Sequence, residues 1–282
     1  MNYEQCKKDF IKLMEKASGR HNTYKVFTDF CLMSALAFAQ VSHFDEEREK
    51  RYLEIIGEYT KEEQAFFPQM LAEVTKAFEC EWGDFLGEVY MNCGFGSSNQ
   101  GQFFTPYNIC KMMSQITTPN PEKDKIITVS DCCVGGGALI IAFAENLKDK
   151  EINYQMNMLA DVWDISINSC SMCMVQFSIL GIPCRITRGN SLSLEKWEVW
   201  ETPMTAINLV TERLKNQRAR EKLPEVIEVA QEITAEKEEI KEPGNVIKET
   251  KSPVDVDFVE IKETFKEGFL FSDEEIENCK KM

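Results

Sequence analysis

Hydrophobic and polar positions follow helical spacing along the first part of the chain. Apolar side chains recur every three or four residues in three stretches, 27–40, 45–59 and 62–79. Pro68 stands inside the third stretch, where it predicts a helix boundary or a kink. A shorter helix is expected over 82–94, ended by Gly94. The pattern therefore predicts an N-terminal helical region over residues 1–98.

From residue 99 onward, short β-branched or apolar runs alternate with apolar helical stretches. We expect strands over 126–131, 158–164 and 183–189, and helices over 106–117, 138–148 and 166–181. This alternating order of strands and helices is typical of a parallel, doubly wound α/β sheet. The sequence after residue 192 shows no obvious fourth strand.

The last part of the chain is set apart by its charge. Residues 221–282 hold 18 acidic and 9 basic side chains, so they carry −9 of the net charge of −15. Acidic, Glu/Lys-rich sequence of this kind is typical of partly disordered segments. We therefore expect three regions, which are a helical region over 1–98, an α/β core over 99–210 and a charged acidic tail over 211–282.

Composition narrows the classes of function. A net charge of −15 argues against a nonspecific nucleic-acid binder, because such proteins need lysine and arginine against phosphate. A basic stretch at 213–220 could meet phosphate, although a solvated helix face explains it equally well. Eleven cysteines and no apolar run of about 18 residues favour a reducing cytoplasm and no membrane span. Cys170 and Cys173 lie in an apolar helix, so we expect buried thiols and no metal site.

Polar or glycine residues stand at the carboxyl end of each predicted strand. A glycine turn, Gly135 to Gly137, follows the strand that ends in Asp131, and such a turn lets a nucleotide-like ligand approach the backbone. Asp164 ends the second strand, where a carboxylate can hydrogen-bond a ribose diol. Asn190 ends the third, where an amide can bond an adenine edge. Parallel strand ends meet at one edge of a sheet, so the pattern predicts a nucleotide-like site there.

Each of these residues also has a plainer structural explanation. The glycine turn could be a tight strand-to-helix connection. Asp164 could cap the helix that follows it, and Asn190 could be a turn residue. Phe103 and Phe104, upstream of this region, could be core residues.

Four elements of the sequence resemble those of a known family. Residues 101–106 read Gly-Gln-Phe-Phe-Thr-Pro, which resembles the signature of adenine-N6 DNA methyltransferases of the type I restriction–modification modification-subunit kind. Residues 131–137 resemble that family's Asp-Pro-x-x-Gly-x-Gly motif, with Cys132 in place of the proline. Asp164 matches the family's acid on the second strand, and residues 189–192 match its Gly-Asp/Asn-x-Leu. The resemblance covers about residues 80–195.

The resemblance implies a Rossmann-like S-adenosylmethionine-dependent methyltransferase core, built on a partial doubly wound sheet. In that family the Phe-Phe-Thr-Pro segment packs over the methionine end of S-adenosylmethionine. The implied cofactor-binding residues are Phe103, Phe104, Thr105, Pro106, Asp131, Gly135, Gly137, Asp164 and Asn190. DNA is the implied substrate, and a specificity subunit or other protein is an implied partner.

One part of the family pattern is missing. The family's catalytic motif, Asn/Asp-Pro-Pro-Tyr/Phe, should follow residues 189–192 within a few tens of residues, and the sequence there contains no such motif. No catalytic residue can therefore be named. Three hypotheses follow, which are an S-adenosylmethionine-binding DNA adenine methyltransferase, an inactive relative that regulates a phage or mobile element, and an interaction protein whose acidic tail matters most.

Overall fold

The computed structural model describes residues 2–96, 104–118, 125–219 and 221. These residues belong to one compact unit, Met1–Val226. A second unit, Ile227–Met282, lies outside the described residues, and so does Phe103 of the expected cofactor site. The division of the chain into 1–98, 99–210 and 211–282 stays a prediction.

The helical character of the N-terminal region is confirmed. Its helices are α1 (Tyr3–Ser18), α2 (Thr23–Ser42), α3 (Glu46–Gly57), α4 (Lys61–Gln64), α5 (Phe66–Cys80) and α6 (Phe85–Asn92). Asn2, Asn22 and Asp45 cap the first three by accepting hydrogen bonds from backbone N–H groups. The break that Pro68 predicted lies at Ala65. Pro68 is the third residue of α5, where a backbone N–H needs no partner within the helix.

Aromatic side chains hold these helices together. Phe10 of α1 is fully buried and meets Phe27 and Phe30 of α2 and Phe85 of α6. The ring centroids lie 5.1–6.4 Å apart with the planes nearly perpendicular, which is a favoured arrangement for aromatic pairs. α6, which leads into the α/β region, is therefore fixed against the N-terminal helices.

The α/β region has the predicted alternation. Its elements are α7 (Tyr107–Thr117), β1 (Ile127–Asp131), α8 (Ala138–Asp149), α9 (Tyr154–Asn157), β2 (Met158–Asp164), α10 (Ile167–Leu180), β3 (Cys184–Asn190), β4 (Glu195–Glu201) and α11 (Pro203–Ile207). Further helical residues, 210–219, follow. Ser166 caps α10 at its start and Gly181 ends it with a left-handed backbone conformation, as the sequence predicts.

The four strands form one sheet in the order β1-β2-β3-β4. β1, β2 and β3 are parallel, with Asp131 opposite Val162 and Asp164 opposite Arg188. Each strand therefore extends two residues beyond the end of the one before it. The strand order does not reverse within the described residues, so the sheet is one half of a doubly wound sheet, as expected for a partial Rossmann-like core.

The expectation of no fourth strand is wrong. β4 pairs with β3 in antiparallel orientation through a hairpin whose turn covers residues 191–194. Leu194 takes a positive φ of 59°. Leucine rarely adopts this conformation, so the sequence does not predict a turn there. The pattern was also obscured because Trp197 and Val199 face outward, whereas Trp200 is the buried residue.

The helices and the sheet share one hydrophobic core. α10 is buried almost throughout and packs against α2 on one side and the strands on the other. Cys170 and Cys173 are both buried in this helix, which confirms the prediction of buried thiols. No helix in the described part of the chain is long and apolar enough to cross a membrane.

Candidate functional site

A small cleft opens at the carboxyl end of β1. Its volume is about 120 Å³, and its lining combines the glycine turn, the start of α8, one face of α7 and a residue from before α6. The lining residues are Asp84, Phe104, Thr105, Cys110, Met113, Asp131, Cys133, Val134, Gly135, Gly136, Ala138 and Leu139. Four of the expected cofactor residues, Phe104, Thr105, Asp131 and Gly135, thus lie together.

The segment before α7 is fixed against the glycine turn. The Phe104 ring lies beside the ring of Tyr90, with the centroids 5.5 Å apart. A Cβ added to Gly135 would lie only 3.0 Å from the Phe104 ring, and the φ of Gly135 is +57°. Pro106 is the residue at which α7 begins, and the carbonyl of Thr105 faces the Cys110 thiol. Phe104 is therefore both a packing residue and a wall of the cleft.

The glycine turn is needed for packing as well as for access. A Cβ on Gly137 would lie 2.7 Å from the Phe177 ring, and Gly137 has a φ of +98°. Gly137 thus allows the turn to pack closely against α10. Gly137 also begins α8, and no described side chain caps the N–H groups of the first turn of that helix.

Asp131 shapes the turn from its first residue. Its Oδ1 accepts a hydrogen bond of 3.0 Å from the backbone N–H of Cys133. The side chain is partly buried and lines the cleft. Cys132, which stands where the family motif has proline, and Cys133 are both exposed. Asp131 therefore holds the turn and also lines the cleft.

Asp164 lies outside the cleft lining and binds two backbone N–H groups. Its Oδ2 accepts from Gly135 at 3.0 Å, and its Oδ1 accepts from Ser166 at 2.8 Å. Burial raises the pKa of the Asp164 carboxyl, while these hydrogen bonds from Ser166 and Gly135 act to lower it. Asp164 is therefore not the cap of α10, which is Ser166; it fixes the turn before that helix and the glycine turn, and its ribose role stays a prediction.

Asn190 lies at the far end of the staggered sheet edge. Its Oδ1 accepts hydrogen bonds from the N–H groups of Leu192 and Ser193, at 3.0 and 3.3 Å. A Cβ on the neighbouring Gly189 would lie 2.2 Å from the carbonyl oxygen of Glu195, so that glycine is required by the hairpin. Asn190 is therefore a turn residue, and its role toward adenine stays a prediction.

Sequence reasoning missed two buried polar residues at the cleft. Asp84 is 3% exposed, and its Oδ1 accepts from the N–H of Gly87 at 3.0 Å and from Nε2 of Gln176 at 2.8 Å. Gln176 of α10 also donates to the carbonyl of Gly136 at 2.8 Å. Burial raises the pKa of Asp84 to about 6, although the hydrogen bonds from Gln176 and Gly87 act to lower it. In sequence, Asp84 is an ordinary helix cap, and nothing there shows its partner on α10.

The basic stretch near residue 213 lies at the other end of the sheet. The helical residues 210–219 pack on the start of β1 through Val210 and Leu214, and the Gln217 side chain bonds the backbone of Ile126. Arg213 donates to the carbonyl of Met156 at 2.8 Å. This helix therefore supports the amino end of β1, whereas the cleft lies at its carboxyl end.

Together these features define a Rossmann-like α/β fold with a ligand cleft at the carboxyl end of its first strand. Residues 83–213 match the family model described as N-6 DNA Methylase. The matched stretch is a little under half of the chain, and over it the chain is similar to the N-6 DNA methylase family.

A solved structure is also similar to the chain. It is the type I restriction-modification system methyltransferase subunit from Streptococcus thermophilus, at 16% identity and a TM-score of 0.35. The similarity covers 67% of this chain and 40% of that subunit, so the chain spans less than half of the subunit's length. No curated protein matches the chain.

Proposed function

We propose that this chain binds S-adenosylmethionine at the cleft on β1, as the cofactor-binding part of a DNA adenine-N6 methyltransferase. The observation that carries the proposal is the meeting of Phe104, Thr105 and the glycine turn in one cleft, within the region that matches the family model. When bound, the cofactor would supply an activated methyl group on its sulfonium.

The residues at the site fit the two ends of such a cofactor. The cleft of about 120 Å³ holds the volume of roughly four water molecules, so it suits the amino-acid end rather than the whole cofactor. The uncapped start of α8, with Ala138 and Leu139 in the lining, is a suitable place for a carboxylate. Asp164 and Asn190, along the same sheet edge, are our candidates for the ribose and the adenine.

The described residues do not provide a holder for the target adenine. Enzymes of this chemistry take the base out of the duplex and bind it by hydrogen bonds and stacking. Here the sequence contains no Asn-Pro-Pro or Asp-Pro-Pro, and the chain turns back into β4 directly after Asn190. We therefore propose that methyl transfer to DNA requires a partner protein, such as a specificity subunit or a second catalytic chain, that binds the adenine.

The same observation favours a second candidate function. A chain that binds the cofactor but lacks the adenine-binding motif could act as an inactive regulatory or interaction protein of a phage or mobile element. We further propose a cytoplasmic location for either role, because eleven cysteines suit a reducing compartment.

Calorimetric titration with S-adenosylmethionine and S-adenosylhomocysteine tests the proposal. We expect micromolar binding of both. No binding by a chain shown to be folded would contradict the cofactor role. A methylation assay on unmodified DNA with radiolabelled cofactor then separates the two functions. Adenine methylation by the isolated chain would contradict the need for a partner, and methylation upon addition of a partner would exclude the inactive role.

A further inference from the structure

We propose that Asp84 binds the α-amino group of the cofactor's amino-acid end through its Oδ2 atom. The inference rests on the proposed function, because it assumes that S-adenosylmethionine or a product occupies the cleft. It adds a binding residue on the loop before α6 rather than on the sheet.

The two oxygens of Asp84 have different surroundings. Oδ1 accepts two hydrogen bonds, from the Gly87 N–H and from Gln176. No described residue donates a hydrogen bond to Oδ2. This oxygen lies against the glycine turn, since a Cβ added to Gly136 would be only 2.6 Å from it. Asp84 is also one of the residues that line the cleft. The carboxylate therefore has one satisfied oxygen and one without a donor among the described residues, and it lines the place where a ligand would bind.

A structural role alone does not account for this arrangement. The cap of α6 needs only one acceptor oxygen, which Asn or Ser provides equally well. A buried carboxylate without a cation is costly, and buried charges are normally paired. Within the described part of the chain, the one charged side chain that contributes to the pKa of Asp84 is Glu88, which has the same sign and raises it. The missing partner of Oδ2 is thus expected to be a cation that arrives with the ligand.

Gln176 fixes the orientation that this role requires. Its side chain is fully buried, and its Oε1 accepts from the Leu86 N–H at 3.1 Å. Its Nε2 donates both to Asp84 Oδ1 and to the Gly136 carbonyl. These three bonds tie α6, α10 and the glycine turn together. Gln176 is therefore a positioning residue that keeps Oδ2 directed at the cleft.

The chemistry favours a primary ammonium over the sulfonium as the partner. An ammonium donates charge-assisted hydrogen bonds, and these satisfy Oδ2 as both an acceptor and an anion. A sulfonium carries charge but no N–H. An amino acid in the cleft would also bring its carboxylate within the same small volume as the uncapped start of α8. A zwitterionic amino-acid end thus has a place for each of its charges.

The test is Asp84→Asn, which keeps an acceptor for Gly87 and Gln176 but removes the charge. Three probes are titrated by calorimetry, S-adenosylmethionine, S-adenosylhomocysteine and 5′-methylthioadenosine, which lacks the amino-acid end. We expect the variant to bind the first two at least tenfold more weakly than the wild type does. We expect no change for 5′-methylthioadenosine.

Three results for Asp84→Asn would overturn the role of Asp84 and leave the proposed function standing. The first is an unchanged affinity for S-adenosylhomocysteine, and the second is an equal loss of affinity for 5′-methylthioadenosine. The third is a loss of affinity clearly larger for S-adenosylmethionine than for S-adenosylhomocysteine, because that result would assign the carboxylate to the sulfonium. If the wild type binds neither cofactor form, the proposed function fails and the assignment fails with it.

A matched control separates binding from folding. Asp29 is also buried, but it is paired with Lys25 at 2.8 Å and with the Tyr59 hydroxyl at 2.7 Å. We expect Asp29→Asn to lower the melting temperature and leave S-adenosylhomocysteine affinity unchanged. We expect Asp84→Asn to melt no lower than the wild type. Should Asp84→Asn fail to fold, Asp84→Ser keeps a capping oxygen and must show the same pattern of binding losses.

Discussion

The carboxyl ends of β1 and β3 carry motif residues of the same family, yet they use them differently. At β3, the absence of a side chain at Gly189 lets the Glu195 backbone pack closely in the hairpin, and Oδ1 of Asn190 accepts a hydrogen bond within the turn. At β1, the glycine turn begins α8 without a side-chain cap, and no described residue donates a hydrogen bond to Oδ2 of Asp84, which lines the cleft. The comparison teaches that a motif match alone does not identify a ligand contact. A polar residue that lines the cleft and has an oxygen without a donor among the described residues is the stronger indication.

The largest expected effect is on the free energy of unfolding, and it comes from the buried charge of Asp84. Its folded pKa of about 6 lies above the unfolded value near 3.8, so the folded state keeps a proton that the unfolded state loses. This contribution to stability is present below pH 3.8 and is lost as the pH rises through about 6. We expect Asp84→Asn to be more stable than the wild type by about 3 kcal/mol at pH 7.5 and about 2 kcal/mol at pH 5.5.

Denaturant unfolding of both proteins at the two pH values measures this difference. The titratable groups that face Asp84 are Tyr3 on α1, Glu88 on α6, Cys110 on α7 and Cys173 on α10. Tyr3, Cys110 and Cys173 have raised pKa values and stay neutral at both pH values, and the repulsion from Glu88 is one of the causes that raise the pKa of Asp84. A variant that is less stable than the wild type at pH 7.5 would show that Asp84 is a structural carboxylate.

The next largest effect is expected at Asp164. Asp164→Ala removes the acceptors of the Gly135 and Ser166 N–H groups, which should lower the free energy of unfolding by about 2–3 kcal/mol. If the carboxylate also binds ribose, S-adenosylhomocysteine affinity falls at least tenfold. Calorimetry and urea unfolding check the two parts. Asp161→Asn, on the same strand and also partly buried, is the control and should bind normally. Unchanged affinity in Asp164→Ala would remove the ribose assignment.

Two glycine substitutions sharpen the contrast between the strand ends. Gly189→Ala places a Cβ 2.2 Å from a backbone oxygen, and we expect a loss of about 1–3 kcal/mol in stability with affinity unchanged within twofold. Gly135→Ala has a strained backbone, and its Cβ presses on Phe104. We expect this variant to lose about 1–2 kcal/mol of stability and to bind S-adenosylhomocysteine clearly more weakly. Equal effects on affinity would mean that the two ends are not functionally different.

The smallest effect is expected at Asn190. Asn190→Asp keeps the turn acceptor and removes the amide donor, so stability should change by less than about 0.5 kcal/mol. If the amide bonds adenine, S-adenosylhomocysteine binding weakens by about 1 kcal/mol, roughly fivefold. Wild-type affinity in this variant would leave Asn190 with the turn role alone.

Much of the fold could be predicted from local patterns. The helices before residue 96 and the run from β1 to β3 follow hydrophobic periodicity, and their ends follow caps such as Ser166 and Gly181. β4 could not be predicted, because its turn depends on a positive φ at Leu194 and two of its apolar residues, Trp197 and Val199, face outward.

The candidate site was predictable only in part. Phe104, Thr105, Asp131 and Gly135 meet because their motifs stand at one strand end, which sequence order indicates. Asp84 gave no comparable indication. Its environment is created by Gln176, 92 residues further along the chain, and by burial that only the packed α6 and α10 produce.

A crystal structure of the chain with S-adenosylhomocysteine would test the central claim most directly. The account predicts the amino-acid end in the cleft, with the α-amino nitrogen about 2.7–2.9 Å from Asp84 Oδ2. A ligand bound elsewhere on the molecule would contradict the cofactor site. A ligand in the cleft with its amino group away from Asp84 would contradict the role of that carboxylate.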